Sequence, residues 1–185
     1  MAGASHWNAE RLPETTMDAA DLRALQAPLK QRYREDPQSS IITMKAQGTL
    51  DSEAVACKVE TARAVAVAGL HKAAGGTGAD LCSGDMLLEA LVACAGVTLK
   101  AVATALEIPV RSGTVRAEGD LDFRGTLGVD KEAPVGFRAI RLAFEVDADA
   151  TDEQLQRLLT LTERYCVIFQ TLSHRPDLKA TLAKG

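Results

Sequence analysis

The chain has 185 residues, of which 46% are apolar and 25% charged, and its formal net charge is −4 at pH 7. That length supports one domain with a sizeable core, or one domain plus an arm, and the balance is that of a globular protein. A net-negative chain projects no basic field, which argues against nucleic acid and anionic membrane as partners.

Residues 1–17 carry little pattern and lack a basic segment followed by an apolar one, so no secretory signal is read and a cytoplasmic location is expected. In that compartment the four cysteines, Cys57, Cys82, Cys94 and Cys166, read as thiols rather than a disulfide framework. No C-x-x-C pair occurs and the histidines are scattered at positions 6, 71 and 174, so neither a metal site nor a cofactor is expected. Met17 to Asp36 predicts a helical arm with Leu22, Leu25 and Leu29 on one face, kinked or divided at Pro28 and ended by Asp36-Pro37. The domain organisation expected is an arm over 1–38 and one domain over 39–185.

Residues 39–50 and 54–70 both read as strand, with Val55, Cys57, Val59 and then Val65 and Val67 on period two. Gly69 to Asp85 holds five glycines and reads as a loop. A long apolar helix follows to about Leu106, introduced by the charged cap Ser83-Gly84-Asp85 and stopped by Glu107-Ile108-Pro109. Its longest uncharged run, Ala90 to Leu99, falls well short of the roughly 20 residues that cross a bilayer. Two further strands are read over 112–127 and 136–148, the second from the alternation of Ile140, Leu142, Phe144 and Val146. One or two helices close the chain over 150–178, the first capped by Thr151 or Asp152. Strands, helix, strands, helices is an α+β order with antiparallel sheet, not a doubly wound one.

The long helix is apolar on nearly all sides, so it must be covered on nearly all sides. Aromatics are only 4% of the chain. The core is therefore built from Ala, Val, Leu and Ile, and Ala93, Ala95 and Gly96 permit close helix contact. A second copy of the chain supplies that cover more easily than one chain alone. Cys94 sits in the middle of this helix. A buried free cysteine is ordinarily a small hydrophobe, and Cys57 and Cys82 keep that reading. A second cysteine in a similar apolar setting, Cys166 within ERYCVIFQTL, moves Cys94 away from it.

SGDMLLEALVACAGVTL, with YCVIFQTL downstream, resembles the OsmC/Ohr family of thiol-dependent hydroperoxide reductases. The likeness runs from about Ser40 to the C-terminus, and the two cysteines lie seventy-two positions apart, as in the family. It implies antiparallel sheets packed around a long buried central helix, in an intertwined homodimer with two sites at the subunit interface. It implies that Cys94 is the peroxidatic thiolate and Cys166 its resolving partner, with an organic hydroperoxide as substrate and a dithiol as reductant. Asp85, nine positions before Cys94, matches the acid that in one branch orients a cation beside the thiolate.

An unperturbed thiol is only a few per cent ionised at pH 7, and burial suppresses ionisation further. A working Cys94 therefore needs a cation or strong donors beside it. The family uses an arginine; the loop here carries His71 and Lys72, and Arg63 lies upstream. His71 ranks first, being the one side chain near the loop that titrates near neutrality. On one straight helix Asp85 and Cys94 stand about 13 Å apart and half a turn out of phase, and Glu89 is out of phase as well. An acid serving this thiol is expected from a second chain. Two other functions fit the same sequence: a dimer that binds a small apolar or electrophilic molecule without turnover, and a redox sensor or carrier of low-molecular-weight thiols.

Overall fold

The computed structural model describes residues 18–41, 47–50, 56–60 and 65–184. The arm forms α1 (Ala19–Glu35), whose Asp18 cap and Asp21 make a reciprocal capping box. Pro28 lies inside the helix, and none of the seventeen residues is buried. α1 is tied down near its start, where Arg23 pairs with Glu107 at 3.2 Å. A 3-10 turn over Pro37–Ser40 follows.

Strands β1 (Gln47–Leu50), β2 (Ala56–Glu60) and β3 (Val65–Gly69) form an antiparallel meander, so the run read as one strand over 54–70 is two, paired Ala56 to Gly69 and Glu60 to Val65. Arg63 lies outside the described residues. The glycine-rich loop is more structured than its composition suggests. It holds a 3-10 turn (Lys72–Ala74), closed by Gly75 at φ 92°, and a two-residue strand β4 (Leu81–Cys82) that pairs parallel with β3.

β4 runs directly into α2 (Ser83–Ala105). Cys82 holds the N-cap position and makes no side-chain capping bond, so Ser83, Gly84 and Asp85 are the first turn rather than the cap. α2 buries one stripe spaced by four residues: Leu91, Ala95, Leu99 and Ala103. Val102 and Cys94 pack beside that stripe, while other apolar positions stay open, with Ala90 and Ala93 exposed and Val97 73% exposed. The helix is long and apolar enough to span a bilayer by length and composition. The buried stripe packs instead on a sheet and two helices of its own chain.

The second sheet is a ribbon of β5 (Val110–Leu121) and β6 (Phe137–Ala148), antiparallel over nearly their whole length. β5 stops at Leu121, and Phe123, read as strand, starts the short α3 (Phe123–Thr126) under an Asp122 cap. Asp122 is held down at about 2 by its hydrogen bonds from the Arg124 side chain and backbone. One ribbon face packs on α2 through Val115, Ala117, Ile140, Leu142 and Phe144. The other carries exposed cross-strand pairs, Arg116 with Glu145 and Arg141 with Glu118 and Asp120. At such exposure solvent screening leaves each pair little weight in stability. Gly119 is required where it stands, because a Cβ there collides with the Phe137 ring across the ribbon.

α4 (Asp152–Tyr165) and α5 (Val167–Ser173) pack on α2 from the other side, burying Leu158 and Thr162, and among the described residues no helix or strand follows Ser173. Thr151 caps α4: its side chain accepts from Gln154 N–H, and Gln154 accepts from Thr151 N–H. Thr151→Ala removes the first bond and is expected to cost about 1 kcal/mol, read as a lower urea midpoint at unchanged slope. An unshifted midpoint would show that packing alone holds this helix end.

Candidate active site

Cys94 and Cys166 come together. The chain breaks between α4 and α5 at Cys166, which is the C-cap of one helix and the N-cap of the next, with φ −73° and ψ 109°. Its backbone is satisfied on both sides, donating to Thr162 and accepting from Gln170. The break turns the Cys166 thiol into the core, where it is 1% exposed in a cluster with Leu91 and Ala95, and Cys94 packs on that cluster. Cys94 itself is half-buried, and both thiols are free.

The two sulfurs are not equivalent. Burial works against ionising Cys94 and is the largest single influence. The Ile168 backbone N–H, the Cys166 thiol, the Val167 backbone N–H and the Thr98 hydroxyl outweigh it together, and Cys94 lies below the ordinary thiol range. Among the described residues of one chain, the donors acting on Cys94 are neutral and come from the start of α5, Cys166 and Thr98. Cys166 moves the other way: burial raises it first, and the Cys94 neighbour raises it further. One sulfur is primed to be an anion and the other to stay a thiol.

This asymmetry has a pH signature. With a folded value below the unfolded one, the Cys94 thiolate contributes stability above the unfolded pKa and loses it as pH falls through the folded one. Alkylation of Cys94 by iodoacetamide is expected to level off below the pH near 8.5 where an ordinary thiol does so, while Cys166 lags. Cys166 labelling first would reverse the assignment of the two sulfurs.

Asp85 and His71 are brought together as well, but elsewhere. Both line a cavity of about 360 Å³ with Cys82, Gly84, Leu88 and Phe137. The His71 ring stacks on Phe123 with centroids 5.0 Å apart and planes 20° off parallel. Its Nδ1 accepts from Ala73 N–H at 3.0 Å, so the neutral ring carries its proton on Nε2 and offers a donor. Asp85 stands third in α2, is exposed, and has no ion pair among the described residues. Lys72 and Glu89 are also exposed. Within one chain, neither Asp85 nor His71 is among the groups acting on Cys94. The groups that sequence reading missed are Thr98 and the Val167 and Ile168 amides. Thr98 was findable, since it lies one turn after Cys94 on the same helix face.

A family model described as OsmC-like protein matches residues 76–181. No curated protein matches the sequence. Among solved structures, an OsmC-like protein from Mycoplasma pneumoniae superposes with a TM-score of 0.60 at 16% identity, over 72% of this chain and 89% of the other. An OsmC-like protein of unknown function from Vibrio cholerae gives 0.58 at 17% identity, over 71% and 94%. An organic hydroperoxide resistance protein from Elizabethkingia anophelis gives 0.53 at 16% identity, over 74% and 91%.

Proposed function

Since the chain belongs to the OsmC-like protein family, and shares its fold with a hydroperoxide resistance protein, we propose that it is a thiol-dependent peroxidase for organic hydroperoxides. The observation that carries this reading is the pair of unlike sulfurs: a half-buried Cys94 brought below the usual thiol range beside a Cys166 held above it. The Cys94 thiolate attacks the outer peroxide oxygen, the O–O bond breaks, and the alkoxide leaves with a proton as the alcohol. Cys94 is then a sulfenic acid. Cys166 attacks that sulfur, water departs, and a Cys94–Cys166 disulfide forms. A dithiol restores both thiols by exchange.

The working unit in this reading is a homodimer. The open side of α2, with Ala90, Ala93 and Val97, is small-sided enough for a second α2 to lie close. Running antiparallel, that helix brings its own Asp85 and His71 toward Cys94, the carboxylate to orient a cation there and the Nε2–H as donor to the departing alkoxide. Neutral donors at Cys94 favour one further reading, a dimer that binds an electrophile or senses oxidants without efficient turnover. Counting thiols before and after one equivalent of cumene hydroperoxide separates the two. Peroxidase chemistry removes two thiols per chain in the native protein and only one in Cys166→Ser. If no thiol disappears, the peroxidase reading fails.

A further inference from the structure

Cys82 reads from the sequence as packing, yet it is half-buried and lines the same cavity as His71 and Asp85. Its sulfur caps α2 without a hydrogen bond. It lies beside the open face of Gly84, where an added Cβ would stand 3.5 Å from it. A nucleophile, a stacked imidazole offering N–H and a carboxylate therefore line one half-open pocket, with Phe137 and Leu121 as its apolar wall.

We propose that this cavity is a second thiol site, at which Cys82 forms a mixed disulfide with a small amine-bearing thiol. The inference rests on the cavity of the single chain and not on the peroxidase reading. Size limits the ligand: about 360 Å³ holds on the order of a dozen water-sized groups. That suits an aminothiol and excludes a bulky peptide disulfide. Charge selects it. Asp85 and Asp120 both line the cavity, and Asp120 is already paired with Arg141. The Asp85 carboxylate is left to receive an ammonium group and to repel an anionic ligand.

The step balances without another oxidant. The Cys82 thiolate attacks one sulfur of the low-molecular-weight disulfide, a new S–S bond forms to Cys82, and the old one breaks. Cys82 is oxidised, and the departing half is reduced to a thiolate. That thiolate takes up the proton Cys82 released, with the His71 Nε2–H as the donor available to it meanwhile.

Cystamine and dithiodiglycolate, alike in size but one cationic and one anionic, are the probes. Each is incubated at pH 7 with the full-length protein, and the modified cysteine is mapped by peptide mass spectrometry. Cys82 is expected to take cystamine about ten-fold faster, and the preference is expected to shrink in high salt. In Asp85→Asn the two probes are expected to react alike. Equal rates in the native protein, a preference that survives Asp85→Asn, or modification only after denaturation would each overturn the proposal. The salt series tests it should that variant misfold. Peroxide consumption, measured before either probe is added, reports on Cys94. Its absence beside a labelled Cys82 therefore removes the peroxidase reading and leaves this one standing.

Discussion

Cys94→Ser is expected to leave the fold intact and lower organic hydroperoxide consumption by roughly a thousand-fold or more. Serine fits the space of cysteine, and the site is half open, so the packing on Leu91 and Ala95 has little to lose. The chemistry has everything to lose. The amides of Val167 and Ile168 ease the ionisation of a thiol against the burial that opposes it, but an alkyl alcohol is far too weak an acid for the same donors to ionise it. Its oxygen is also a poor nucleophile toward peroxide. Consumption at the native rate, with an unchanged circular dichroism spectrum, would place the nucleophile elsewhere.

Two substitutions at Cys166 separate its two proposed contributions. Serine keeps a donor near Cys94 but cannot form the disulfide. Alanine removes both. Cys166→Ser is expected to react with its first equivalent of hydroperoxide at close to the native rate and then stop, with Cys94 advancing to sulfinic acid under excess peroxide. Cys166→Ala is expected to stop in the same way and to react more slowly even in that first turnover, because one of the four donors at Cys94 is gone. Single-turnover kinetics with mass analysis of Cys94 reads both effects. Sustained turnover by either variant would show that another thiol resolves the intermediate.

Much of this arrangement was legible in the sequence, for identifiable reasons. α2 announces itself by a long, largely apolar run between a glycine-rich loop and Ile108-Pro109, and β6 by strict alternation from Ile140 to Val146. The Thr151 cap follows from a threonine three residues before a glutamine. Other features carry no local signal. The meander of β2 and β3 has no glycine, proline or asparagine between its strands, so it reads as one run. The break at Cys166 lies between Tyr165 and Val167, neither of which interrupts a helix by its own chemistry; packing on α2 decides it. The donors for Cys94 depend on that break and were therefore invisible too. Cys82 was misplaced because Ser83 is the better capping residue by composition, although the chain puts the cap one position earlier.

The unequal burial of the two sulfurs also bears on how a Cys94–Cys166 bridge would be undone. An incoming reductant meets the outer sulfur first, that of Cys94, while the inner one is almost wholly covered. Attack there must expel Cys166, the more basic and so the more reluctant leaving group. The easy departure, that of Cys94, demands entry at the sheltered side. Small monothiols are thus matched to the slow route, and efficient recycling calls for a reductant that slips between α4 and α5, or for those helices to part at their junction.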